Sequence, residues 1–292
     1  MRRWRMRWWL PPLVLVALFG WGIWSVGGRL TAATNAAVPP LPAPAQVVRI
    51  ASDPGITLAA SYWPAPPKAP AVLLLHGNGG NRDNLTPLAT WLSAQGYGVL
   101  AIDFRGHGAS TPAIKSFGLT ESADAHAALA WLKARHPGSA TAAIGISLGG
   151  AAALLGPRGP LPVDALVLEG VYPDIRHAIY NRVASVGGKG MAAVIEPLLS
   201  VQALPRYGVW PSAISPVTAA RQVRVPVLVV GGGADVFTPP AETRALFDAL
   251  HRNGELTFLP GASHGMIVAA NDTDPLRARI GAFLERYLRR KA

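Results

Sequence analysis

The chain has 292 residues, half of them hydrophobic, with a formal charge of +11 at pH 7 and no cysteine. That length suits one large domain or two small ones, with ample material for a core. The missing cysteine excludes disulfides, thiol nucleophiles and cysteine metal sites, and suits an oxidising compartment as well as a reducing one. The charge is uneven. Arg2, Arg3, Arg5, Arg7 and Arg29 lie in the first 29 residues with no acid among them, which leaves +6 for the rest. Those remaining lysines and arginines are scattered, apart from the run Arg289-Arg290-Lys291. They read as solvated surface rather than as a nucleic-acid footprint.

The first segment carries four arginines and then 21 uncharged residues, Trp8 to Gly28. As a helix this stretch spans about 31 Å, close to the hydrocarbon thickness of a bilayer. Trp8, Trp9, Trp21 and Trp24 sit towards its ends, where indole rings favour the interface. The basic residues before it predict a cytoplasmic amino terminus and an exported body. Residues 1–30 therefore read as a signal-anchor or as a cleaved signal peptide. The apolar centre, Leu13 to Ile23, is short enough for a signal peptide, and "TNA" before Ala37 is a weak cleavage site. Both readings stay open. Thr31 to Gln46 is rich in Pro and Ala and reads as an extended linker, so the folded body is expected to begin near Val47 and run to residue 292.

In the body, "VVRIAS" and "ITLAASYW" flank "DPG", a hairpin signal. The runs "AVLLLHG", "GVLAIDF", "ATAAIGIS", "ALVLEG", "VPVLVVGG" and "ELTFLPG" follow. Most lack strict alternation, as expected of strands covered on both faces. Helical patterns lie between them, including "NLTPLATWLSAQG", "TESADAHAALAWLKARHPG", "PAETRALFDALHRNG" and "DPLRARIGAFLERYL". The alternation predicts an α/β fold, a mostly parallel sheet with helices on both faces. The 54 residues from Val171 to Arg224 are too long for one crossover and read as a helical cap insertion. The alternative is one crossover helix and a wandering loop.

Gly145-Ile146-Ser147-Leu148-Gly149 fits G-x-S-x-G between a strand run and an alanine-rich helix. That context gives the motif meaning: a tight turn projects a serine hydroxyl, and glycines clear the space around it. A nucleophilic hydroxyl needs a base. His264, in the small-residue loop "GASHG" after the last strand run, is placed for that. His126, His136 and His251 read as surface residues of helices, His177 as a cap residue, and His107 as a loop-holding residue of "DFRGHGAS". Asp235, in "GGGADVFTPP", is the favoured orienting carboxylate, with Glu169 and Asp174 as rivals. The chain order is then Ser147, Asp235, His264. An oxyanion hole needs two backbone N–H groups. Leu148 supplies one, and Asn78 of "HGNGGN" the other, with His76 bonding within that loop.

In chain order, "HGNGGN", "DFRGHGAS", "GISLGG", "GGGADVFTPP" and "GASHG" resemble the α/β-hydrolase superfamily, and within it the serine-aminopeptidase-like or monoglyceride-lipase-like branch. The resemblance covers roughly Val47 to Leu288. It implies an eight-stranded, mostly parallel sheet with a lid between strands six and seven. It also implies ester, thioester or amide hydrolysis without a cofactor or metal. A serine at the turn disfavours the aspartate-dependent dehalogenase and epoxide-hydrolase branches. The expected substrate is a small-molecule or lipid acyl compound, because the cap is rich in Ala, Val and Leu, with Tyr172, Tyr180, Tyr207 and Trp210 as pocket walls. Two other readings use the same residues: an anchored scaffold of this fold without catalysis, and an acyltransferase.

Overall fold

The computed structural model describes residues 10–39, 41–250, 254–270 and 274–289. The arginines at positions 2–7, Trp8, Trp9 and His251 lie outside the described residues, as do Arg290 and Lys291. The hairpin forms as expected: β1 (Gln46–Ala51) and β2 (Thr57–Trp63) are antiparallel, turning at Asp53-Pro54-Gly55. The other six strands are β3 (Ala71–Leu75), β4 (Gly98–Ile102), β5 (Thr141–Ile146), β6 (Ala165–Glu169), β7 (Val227–Gly232) and β8 (Gly254–Leu259). They complete one eight-stranded sheet in the order β8-β7-β6-β5-β3-β4-β2-β1. Every pairing from β4 to β8 is parallel; only β2 runs against its neighbours.

The unalternating apolar runs follow from helices on both faces. In β3 every side chain is buried, with Leu73 and Leu75 facing one layer and Val72 and Leu74 the other. Each such side chain is worth about 1.5–3 kcal/mol on burial. The first layer contains α3 (Glu121–Arg135), α4 (Leu148–Leu154) and α8 (Pro240–Ala249). The second contains α2 (Thr86–Ala94) and α10 (Asp274–Leu284).

Between β6 and β7 the chain forms the cap: α5 (Ile175–Ser200), α6 (Ala203–Tyr207) and α7 (Pro216–Ala220). The long helix α5 is kinked at Gly188, whose φ of 78° and ψ of 170° only glycine takes easily. α1 (Leu10–Thr31) precedes the domain, and among the described residues it is the one helix long and apolar enough to cross a membrane. Among the described residues of the Pro/Ala stretch after it, one segment is tied to the domain and residues 42–45 form a turn. Thr34–Asn35 runs parallel to His107–Gly108, and the Asn35 amide donates to the Ser110 carbonyl at 2.7 Å.

Candidate active site

The chain reverses sharply after β5. Ser147 sits at the turn with φ 50° and ψ −108°, a strained backbone for a residue with a side chain. The flanking glycines are required by space. A Cβ on Gly145 would lie 2.6 Å from the Gly150 nitrogen, and one on Gly149 would run into the Leu75 carbonyl. The Ser147 side chain caps nothing on α4. Its hydroxyl is left to face His264.

His264 opens α9 (His264–Ala270), just beyond β8. Its Nε2 lies 3.2 Å from Ser147 Oγ, and its Nδ1 lies 2.7 Å from Asp235 Oδ2. The Asp235 side chain is fully buried. Its other oxygen accepts the backbone N–H groups of Phe237 and Thr238, each at 2.8 Å, which fixes the carboxylate in the loop after β7. Ser147, Asp235 and His264 thus form one hydrogen-bonded line at the carboxyl ends of parallel strands, where α/β sheets place their ligands. Of the two rival acids, Asp174 has its carboxylate engaged elsewhere. Asp174 caps α5 and pairs with His177, whereas Glu169 ends β6 and gives its carbonyl to the Ser147 N–H at 2.7 Å.

Asn78 follows β3 and borders the same cavity as Ser147 and Leu148. Leu148 is the first residue of α4, where a backbone N–H has no acceptor within its own helix. The Asn78 loop is held by His76. Its Nδ1–H donates to the Gly77 carbonyl at 2.7 Å, and its Nε2 accepts the Phe104 N–H at 3.1 Å. His107 meets it edge-on with ring centroids 5.0 Å apart and bonds the Arg105 carbonyl through Nδ1 at 3.0 Å.

Burial, aided by the neighbouring imidazole, pushes His76 from 6.5 down to about 3. Burial likewise pushes His107 from 6.5 down to about 4. Both rings are therefore neutral in the folded protein at neutral pH. Below about pH 6.5 the unfolded chain takes up protons that the folded chain refuses. This part of the stability is complete above pH 6.5 and is lost as pH falls towards 4 and 3, at about 1.4 kcal/mol per pH unit for each ring. Thermal unfolding midpoints measured from pH 7 to pH 4.5 should fall, and less steeply in His107→Gln. Parallel profiles for the two proteins would contradict this.

The cavity over Ser147 holds about 490 Å³, within the range of small-ligand sites. Its cap-side wall is apolar: Ile175, Ala178, Ile179 and Val183 from α5, with Tyr172 and Phe117 beside them. Arg182 is the one charged side chain among the described residues lining it. It lies on the same stripe of α5, and its guanidinium sits 5.1 Å from the Phe237 ring centroid. Phe237 in turn meets the His264 ring edge-on at 5.7 Å. Arg182 Nη1 donates to the Ala178 carbonyl at 3.1 Å, and no described carboxylate forms an ion pair with it. Burial lowers its pKa below that of a free guanidinium, partly offset by Tyr172 and Asp235. Sequence reasoning missed this residue. The available signal was an arginine on an otherwise apolar stripe at helical spacing.

The other expected positions divide. Tyr172 lines the cavity, and its hydroxyl donates to the Phe117 carbonyl at 2.6 Å. Tyr180 and His177 border a separate surface recess, Tyr207 donates to the Lys115 carbonyl, and Trp210 is exposed. His126 is half-buried, bonded to the Gly159 carbonyl. His136 is buried rather than exposed, because the Tyr62 hydroxyl meets its Nε2 at 3.0 Å beneath the hairpin. Among the described residues no cluster of three or more His, Asp or Glu has metal-holding geometry.

A family model described as serine aminopeptidase, S33, matches residues 66–208. An uncharacterized protein of Mycobacterium tuberculosis is 32% identical over 284 residues, 93% of this chain and 91% of the relative. The lysophosphatidylserine lipase ABHD12 of Xenopus tropicalis is 37% identical over 123 residues, 40% of this chain and 31% of its own length. Among solved structures, the esterase Pf2001 of Pyrococcus furiosus superposes with a TM-score of 0.66 at 20% identity, covering 87% of this chain and 99% of the esterase. A serine hydrolase without a lid, XC6422 of Xanthomonas campestris, superposes with a TM-score of 0.59 at 19% identity over 86% of this chain and 98% of its own. At such identities the superpositions speak for the fold, and the sequence matches speak for the family. The chain belongs to the α/β-hydrolase superfamily, in the hydrolase family of the serine aminopeptidases S33.

Proposed function

We propose that the protein is a serine esterase acting on an acyl ester with an apolar chain. The observation that carries this reading is the line from Ser147 Oγ through His264 to buried Asp235, opening into an apolar cavity. His264 Nε2 takes the Ser147 proton as Oγ attacks the ester carbonyl carbon. Asp235 holds Nδ1–H and stabilises the imidazolium. The N–H groups of Asn78 and Leu148 receive the oxyanion. The ester C–O bond then breaks, and His264 passes its proton to the leaving alcohol. Water, deprotonated by His264, attacks the acyl-enzyme and releases the carboxylic acid and free Ser147. No step calls for a cofactor or metal.

Ester is favoured over aminopeptidase chemistry by charge. A peptide's amino terminus is cationic and calls for a carboxylate near the serine. The described cavity lining has none, and it presents Arg182 instead. Arg182 is linked through the Phe237 ring to His264, the group that protonates the leaving alcohol in this reading. A leaving alcohol bearing an anionic group suits that position. The ABHD12 relatives, named lysophosphatidylserine lipases, act on a substrate that is anionic in its head group. Arg182→Gln is expected to raise KM about 10- to 100-fold for a monoacyl ester with a phosphate on the alcohol. The uncharged ester of the same chain should change less than about threefold, and Arg182→Lys should recover part of the loss. Equal effects on both esters would remove the anionic leaving group from the account.

The direct test of the class is turnover of p-nitrophenyl esters from acetyl to palmitoyl beside an aminoacyl anilide. Ester cleavage that improves with chain length, with the anilide inert, is the expected result. A strict preference for acetyl, or faster anilide cleavage, would overturn it. α1 is read as the membrane anchor, and the arginines before it favour a body on the exported side.

A further inference from the structure

α1 does not stand clear of the domain. Its last turns are fastened to the cap. Gln202 Nε2 donates to the Ile23 carbonyl at 3.1 Å, and Arg206 Nη2 donates to the Trp24 carbonyl at 2.8 Å, with its guanidinium 4.0 Å from that indole ring. Gly27 is packed so closely that a Cβ would run into the Gln202 side chain. Thr31 is buried, and its carbonyl accepts the Lys115 N–H at 2.7 Å. The bridge from Thr34–Asn35 to His107–Gly108 fixes the chain beyond it.

This docking places Ile23, Val26 and Leu30 in the lining of the cavity that holds Ser147. The three share one helix face by spacing. Upstream, the helix leaves the protein: Leu13, Leu15 and Val16 are 62%, 67% and 69% exposed. On the cap, Val186 and Met191 line the cavity and are also 91% and 51% exposed. The rim of the cavity is therefore apolar, and it lies beside the point where a membrane-length helix emerges. An apolar rim continuous with such a helix fits a bilayer surface.

We propose that α1 stays in the working protein as a wall of the Ser147 cavity, and that this cavity opens against the bilayer, from which a single-chain lipid ester passes sideways into the site. The inference rests on the serine esterase reading above. It also decides between the two fates of the amino terminus. Cleavage after Ala36 would remove Ile23, Val26 and Leu30 and leave the cavity open along one side. A retained helix seals that side and lets a chain move from bilayer to pocket without crossing water, where each methylene is unfavourable to expose.

The test uses the full chain in phospholipid vesicles. Val26→Trp and Leu30→Trp narrow the cavity from the α1 side, and Val16→Trp adds the same bulk to an exposed position well before the docked turns. Turnover of a palmitoyl monoacyl ester in the vesicles should fall at least tenfold in the first two and stay within twofold in Val16→Trp. Hydrolysis of p-nitrophenyl acetate should remain within twofold in Val16→Trp and fall far less than palmitoyl turnover in the two cavity variants. Palmitoyl ester turnover near wild type in both cavity variants would overturn the proposal. If both also lose acetate turnover, Leu30→Ala decides: the preferred chain length shifts, or the proposal falls. A mass of membrane-purified protein that begins after Ala36 would overturn it as well. Wild type that cleaves neither ester and leaves Ser147 unlabelled by a fluorophosphonate would instead sink the underlying esterase reading, and the proposal with it.

Discussion

Ser147→Ala is expected to lower kcat/KM for acyl esters by about 10⁴- to 10⁶-fold and to leave the fold in place. The two halves of this expectation have separate grounds. The substitution removes the Oγ that lies 3.2 Å from His264 Nε2, and with it the atom that would carry the acyl group. Little structure depends on that oxygen. The Ser147 side chain makes no capping bond to α4, and its N–H bond to the Glu169 carbonyl is a backbone contact that alanine keeps. Alanine tolerates the positive φ of 50° about as well as serine does, so the unfolding free energy should move by less than about 1 kcal/mol. Activity and thermal unfolding measured on one preparation check both halves. Residual activity within tenfold of wild type would remove Ser147 from the mechanism.

Asp235→Asn should cost about 10⁴-fold in kcat with little loss of structure. Asparagine keeps the oxygen that accepts the Phe237 and Thr238 N–H groups. At the other position an amide nitrogen replaces Oδ2, and it donates where the carboxylate accepted. His264 Nδ1 must then accept, so the ring proton moves to Nε2. An Nε2–H cannot take the proton of Ser147. The imidazolium of the transition state also loses a buried counter-charge. Turnover across pH 6 to 9 with Asp235→Asn and Asp235→Ala reads this directly. Wild-type turnover in either variant would assign the orienting role elsewhere.

Much of the fold was legible because both helical layers leave a plain mark. β3, β5 and β7 are buried on both faces, so they read as unbroken apolar runs. The positions of Ser147, Asp235 and His264 were legible for a related reason. Ser147 and Asp235 lie in small-residue turns directly after such runs, and His264 in one after the half-buried β8; a parallel sheet brings all those turns to one edge. What stayed hidden depends on contacts distant in sequence. Hydropathy separates the faces of α1 from charged residues, but not a lipid-facing valine from one facing a pocket. Ile23 and Val26 therefore read only as part of a membrane stretch. Arg182 looked like an ordinary helix charge, because its burial depends on Tyr172 and Phe237, which come from other segments. His136 looked exposed at a helix end, and the Tyr62 hydroxyl that meets it lies 74 positions earlier.

The central claim is an activated serine at position 147, and labelling tests it most directly. The full chain, purified with α1 in lipid, is treated with a fluorophosphonate probe and digested for mass mapping, beside Ser147→Ala and Asp235→Asn. The account predicts one adduct, on the peptide carrying Gly145-Ile146-Ser147, absent from Ser147→Ala and formed much more slowly in Asp235→Asn. Folded wild-type protein that takes up no probe, or an adduct that persists in Ser147→Ala, would contradict it.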